Sequence, residues 1–235
     1  MIVFFIIVML VFKPSAQFRV VGYLIFFVLT RDAMTPERIW KIGDIGFLLW
    51  MRFIGKPFVL YSIGVFSLFF VIMMYYFDKQ NQIYIHWFNK KRRNYVINGV
   101  IAGFSGTFLV VLPFLVGYLP HRIELRGGIV SRDMIMPILC VTILGNLLEE
   151  FLFRGYILGY LKRQYSEIKA GILSGIAFSF CHLYLATVLH NNSLPIILFT
   201  LWEGIIVGTV GSHFGVIPAT ISHGFSIFVL STNIV

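Results

Sequence analysis

Successive apolar runs of about 20 residues, separated by short polar loops, constrain this 235-residue chain more than any other feature. A run of that length, wound as an α-helix, matches the hydrocarbon thickness of a bilayer. Lipid offers no water to an unpaired N–H or C=O, so a spanning element has to close its own hydrogen bonds. Composition agrees, with 58% hydrophobic and 12% charged residues, against about 25% charged in an ordinary soluble domain. The sequence predicts an all-α, polytopic membrane protein with seven or eight transmembrane helices. Two spans are short, over about 1–12 and 17–30, with Pro14 and Ser15 between them. The others cover about 58–77, 95–119, 134–153, 170–190, 194–212 and 215–232. The first run lacks a basic flank and a small-residue cleavage site, so it reads as a retained span and not a signal peptide. No linker sets off a soluble domain. One membrane domain is expected, in two parts: 1–133, helices and loops without a recognised motif, and 134–235, where the chemistry-bearing residues collect.

The formal net charge is +9. In a soluble chain this would suggest nucleic acid. Here the basic residues lie mostly in short loops, where they set orientation, so the bilayer and not a nucleic acid is the expected partner. Lys90-Lys91-Arg92-Arg93 reads as a cytoplasmic anchor, which puts the 120–133 loop outside and the 154–169 loop inside. The 31–56 loop fits less well, being external by this count yet carrying five basic residues against three acidic. Its Thr35-Pro36-Glu37 has the form of a helix start, and Trp40, Phe47, Leu48 and Trp50 would suit an interfacial helix. Cys140 and Cys181 form no CxxC pair and read as small core residues. His190-Asn191-Asn192 reads as an external turn, and Arg122 and Arg126 as interface anchors.

Glu149 and Glu150 are adjacent near the end of an apolar run. A charged residue at a helix centre costs roughly 2.5–3.5 kcal/mol on insertion scales, so such a pair is a functional-site hypothesis by default. Glu150 and Arg154 are i,i+4 and share a helix face, while Glu149 is rotated about 100° from its neighbour. One carboxylate can pair with the arginine while the other faces elsewhere. In a low-dielectric site the two then titrate differently, and the free one is suited to general-base work. Later runs supply His182, four residues after Phe178, and His223, between small residues that permit close helix approach. His182 could share a water with a carboxylate across a helix interface. His223 could donate to a developing oxyanion. Glu203 is a further carboxyl within an apolar run, able to pair with Arg154 or His213 or to line a cavity.

The order Glu149-Glu150-Phe151-Leu152-Phe153-Arg154, then Phe178 to His182, then His223, resembles the CAAX-protease and bacteriocin-processing (Abi) family of intramembrane proteases. So does Gly204-x-x-x-Gly208-x-x-Gly211-Ser212 leading into Ile217-Pro218-Ala219 and His223. The resemblance covers about 134–232 and implies a conical helical catalytic core. It implies that Glu149 is the base that activates water and that Glu150 is its neighbour, oriented by Arg154. His182 would hold or help activate the same water, and His223 would help form the oxyanion hole. One position departs. The family has Asn or Asp four residues after the last histidine, where this chain has Ile227. An apolar side chain cannot donate, and losing one oxyanion donor costs about 10²–10³ in rate. Ser226 is adjacent but projects about 100° away.

No HExxH helix is present, and direct activation of water by glutamate and histidine, without a cofactor, is the expected chemistry. The alternative is zinc held by Glu149, His182 and His223. The first functional expectation is an intramembrane endopeptidase acting on a membrane-bound peptide or protein, in a multi-pass protein of a bacterial plasma membrane. A non-catalytic scaffold or bacteriocin immunity protein is the second, favoured by Ile227. A proton-relay transporter is the third.

Overall fold

The computed structural model describes residues 11–12, 14–33, 39–46, 48–91, 93–188 and 193–233. All but the last two residues of the first expected span lie outside these, as do the Thr35-Pro36-Glu37 helix start and the His190-Asn191-Asn192 turn. Helix α1 is Ala16–Ala33 and is followed by strands β1, Trp40–Ile45, and β2, Leu48–Phe53. Then come α2 (Pro57–Phe77), α3 (Tyr95–Tyr118), α4 (Ile135–Glu150), a π-helical stretch Phe151–Ile157 and the short α5 (Leu158–Leu161). The chain ends with α6 (Glu167–Phe180), α7 (Leu183–Val188), α8 (Ser193–Phe214) and α9 (Val216–Thr232).

Among the described residues, five helical segments are long and apolar enough to cross a membrane: Pro57–Phe77, Tyr95–Tyr118, Arg132–Leu161, Glu167–Thr187 and Leu194–Phe214. Val216–Thr232 is apolar but shorter. The protein is a polytopic all-α membrane protein. α6 packs on α8, α3 on α9, α2 on α4, and α4 on α9. The α6–α8 contact is built from glycine. A Cβ on Gly175 would collide with the Gly204 carbonyl, and one on Gly171 would lie 2.8 Å from the Gly208 carbonyl. Without a water-driven hydrophobic force, such close backbone approach is what lets helices associate in lipid.

The 31–56 loop differs from expectation. In place of an interfacial helix, it forms an antiparallel hairpin with Trp40 opposite Phe53 and Ile45 opposite Leu48. Gly43 and Gly46 weaken a helix there, and Gly46 adopts φ +64° at the turn. Trp40, Ile42, Leu49, Met51 and Phe53 point to one side at strand periodicity and line a cavity. Arg52, on the other side, donates to the carbonyls of Met51, Leu230, Gly128 and Arg126. Burial pulls its guanidinium down to about 10.

Two further devices set the frame. Arg19 on α1 bonds Asp78 after α2 at 2.8 Å. At the α8–α9 junction Gly215 has φ +107°, and the Val216 and Ile217 N–H groups reach the His86 and Trp87 carbonyls. A side chain at 215 would strike those carbonyls, so glycine is required on both counts.

Candidate active site

The π-helical stretch begins immediately after Glu150. Such bulges break the regular register and are frequent at functional sites. Phe151 to Tyr156 are all buried, so this turn is fixed by packing on every side. Arg154 lies within it and donates from Nη1 to Glu150 Oε1 at 2.9 Å, with both side chains fully buried. Its Nη2 reaches the Gly204 carbonyl at 3.1 Å. His223, from α9, places Nδ1 2.8 Å from the same Glu150 oxygen. Glu150 Oε1 therefore lies between two donors from different elements, which offset the cost of burying the carboxylate, while its buried Oε2 has no hydrogen-bond partner.

Glu149 is placed differently. It is partly buried and faces a cavity of about 500 Å³. His182, Glu203, His223, Arg31, Asn146 and Ile227 line the same cavity, while the remaining walls are mostly aromatic and aliphatic. The structure thus brings Glu149, His182 and His223 to one space. Glu150 and Arg154 are outside its lining and sit behind His223. That divides the adjacent carboxyls as their 100° rotation predicts.

His182 falls at the break between α6 and α7. Its Nδ1 is 2.9 Å from the Phe178 carbonyl, and its Nε2 is 2.9 Å from Arg31 Nη1. A carbonyl only accepts and a guanidinium only donates, so Nδ1 carries the hydrogen and Nε2 is an acceptor. Phe178 packs against three site groups. Its ring centroid lies 4.4 Å from that of His182 and 5.4 Å from that of His223, and the Arg154 guanidinium stands 4.7 Å from it.

Glu203 pairs with neither Arg154 nor His213. Its Oε2 lies 3.5 Å from His223 Nε2, and its buried Oε1 has no hydrogen-bond partner. His213 instead lies near Glu167, at 3.7 Å. Ile227 is in the cavity wall, where its own side chain supplies no donor in place of the expected amide. The Ser226 hydroxyl does not fill that role, because it donates to the Ser222 carbonyl within its own helix. Arg31, whose Nη2 also donates to the Cys181 carbonyl at 2.8 Å, and Asn146 are polar cavity residues without a sequence expectation as site residues.

The zinc alternative fits these residues poorly. No group of three or more His, Cys, Asp or Glu side chains among the described residues is placed to hold a metal ion. Both ring nitrogens of His182 are already engaged, and His223 Nδ1 is committed to Glu150.

Comparison with known proteins places a match over the same part of the chain. Residues 131–229 match the family model described as type II CAAX prenyl endopeptidase Rce1-like. The CAAX prenyl protease 2 of Methanococcus maripaludis is 33% identical over 101 residues, 42% of this chain and 36% of that protein. The chain thus aligns with little more than a third of that relative's length. No solved structure matches.

Proposed function

We propose, from the premise that residues 131–229 belong to the Rce1-like family of type II CAAX prenyl endopeptidases, that this protein is an intramembrane endopeptidase. Its substrate would be a membrane-associated peptide or protein, cleaved by a water molecule that Glu149 activates. The observation that carries this reading is the division of the two adjacent glutamates. Glu150 is tied to Arg154 and His223, whereas Glu149 opens onto the cavity. A carboxylate locked in an ion pair is a poor base. One that faces a mostly apolar cavity can take a proton from water as the water attacks a carbonyl.

In that mechanism the oxygen of water bonds to the carbonyl carbon and its proton passes to Glu149. The carbonyl π electrons move onto oxygen; as they return, the C–N bond breaks and Glu149 passes the proton it took to the leaving amine nitrogen. His182 Nε2 accepts from Arg31, so it would orient the water only once Arg31 gives up that bond, and would not deprotonate it. His223 would act as a donor to the oxyanion. Glu150 and Arg154 would fix the His223 ring, because Glu150 holds Nδ1 while Arg154 holds Glu150. The aromatic and aliphatic walls and the 500 Å³ volume suit an apolar segment of substrate. The relative's name makes a chain ending in Cys-aliphatic-aliphatic-X, the signal for prenylation of that cysteine, one candidate. A bacterial peptide precursor is another.

The test uses purified protein in lipid vesicles, given membrane peptides that end in Cys-aliphatic-aliphatic-X, with and without the prenyl chain. Cleavage by wild type and not by Glu149→Gln supports the reading. Equal cleavage by both removes Glu149 as the base. Cleavage by neither favours the non-catalytic scaffold, for which Ile227 in the cavity wall is the specific observation.

A further inference from the structure

Asn146 stands three residues before Glu149 on α4, and both side chains line the cavity. Asn146 is 9% exposed, and its Nδ2 is buried without a hydrogen-bond partner. An amide hydrogen left in that condition is unfavourable, because it has lost water and gained no acceptor. Most other donors around the cavity are engaged. Thr142 Oγ1 donates to the Leu139 carbonyl, Thr200 Oγ1 to the Ile197 carbonyl, and Arg31 Nη2 to the Cys181 carbonyl. The Tyr23 hydroxyl and Trp40 indole N–H also lack partners, but they stand on α1 and the hairpin, not on the helix that carries the base.

Building on the hydrolytic reading above, we infer that Asn146 is a catalytic residue whose amide receives the oxygen of the scissile carbonyl as it becomes anionic. The spacing suits the task. Side chains three apart on a helix have Cβ atoms about 5–6 Å apart. A reacting water stands about 3–3.5 Å from the carbonyl carbon, the C=O bond is about 1.2 Å, and a donor sits about 2.7–3.1 Å beyond the oxygen. A carbonyl can therefore lie across one helical turn, with water on Glu149 at one end and the Asn146 amide at the other. The same assignment accounts for Ile227, since a donor on α4 takes over what an apolar side chain on α9 cannot supply. It also accounts for a polar group kept unpartnered inside the fold: its acceptor arrives with the substrate.

The decisive variant is Asn146→Leu, close in shape and without a donor, assayed in the same vesicles and by thermal unfolding. Turnover falls about 100- to 1,000-fold, the cost of one oxyanion donor, with KM little changed. The melting temperature stays the same or rises, because an unsatisfied polar group has been removed. Adding Ile227→Asn to Asn146→Leu recovers part of the lost rate by moving the donor to the opposite wall. Undiminished turnover in Asn146→Leu overturns the assignment while leaving Glu149 in place. A lowered melting temperature with proportionate loss of activity also overturns it, because the amide is then structural. A wild type that cleaves nothing removes both the proposed function and this assignment.

Discussion

Replacing Arg154 with methionine removes the guanidinium bonded to Glu150 and leaves the aliphatic volume nearly filled. Both side chains of the pair are fully buried, at 2.9 Å. Breaking a buried pair by deleting one partner costs about 3–5 kcal/mol, because the remaining charge stays out of water. The Gly204 carbonyl, inside α8, also loses the second, side-chain donor it has there, which adds about 1 kcal/mol. His223 still bonds Glu150 Oε1 at 2.8 Å, so the ion-pair cost falls at the lower end. The sum is about 4 kcal/mol, a large part of the 5–15 kcal/mol that holds an ordinary domain together. The assay is reversible unfolding in mixed detergent micelles, run on Arg154→Met, Glu150→Leu and the double variant. The double variant is expected to cost less than the sum of the two single changes by about 2 kcal/mol, because neither charge is then stranded. A cost below about 1 kcal/mol for Arg154→Met, or simple additivity, would refute the argument that this pair anchors the site.

Gly175→Leu drives a side chain into the Gly204 carbonyl. It should cost at least about 1–3 kcal/mol through overpacking and lower cleavage by displacing Glu203 beside it, measured as melting temperature and turnover together. Glu203→Gln keeps the shape but removes the charge 3.5 Å from His223 Nε2. Turnover should drop about tenfold, equivalent to about 1.4 kcal/mol, with the fold unchanged, and full activity would remove Glu203 from the site. His86 lies exposed between spans, where partial desolvation first, and then the charges of Lys162 and Lys91, push its proton affinity down. Its folded value lies below the ordinary 6.5, so the unfolded chain binds the proton more readily. Its contribution to stability is complete above about 6.5 and is lost as pH falls through the depressed folded value. Melting curves from pH 7 to pH 5 should show that loss, and His86→Gln should flatten it.

The spans were legible because apolar runs and their lengths are written locally, and the helices over 57–77, 95–118 and 194–214 follow them closely. The Glu150–Arg154 pair was legible for the same reason: an i,i+4 spacing is a local signal, and it survives the π-helical turn. Phe178 beside His182 is a third local case. The hairpin was missed because its tryptophans and leucines look like an interfacial helix until Gly43 and Gly46 are given their weight. Arg31 could not have been found, since its bond to His182 joins positions 151 residues apart, and nothing near Arg31 in the chain announces that partner. Glu203 was visible as an intramembrane carboxyl, but its partner was not, because the choice among His213, Arg154 and His223 is made by how α8 rotates against α9. Asn146 carried a readable signal: a polar side chain inside an apolar run, one turn before Glu149.

The central claim is that water, activated at Glu149, cleaves peptide bonds of membrane-associated chains. Its most direct test is to incubate membranes holding equal amounts of wild type or Glu149→Gln in ¹⁸O-labelled water and sequence both the released and the membrane-retained fragments. The account predicts fragments that appear only with wild type, the N-terminal fragment of each cut carrying solvent ¹⁸O in its new C-terminal carboxylate. The same labelled peptides at the same rate from Glu149→Gln would contradict it.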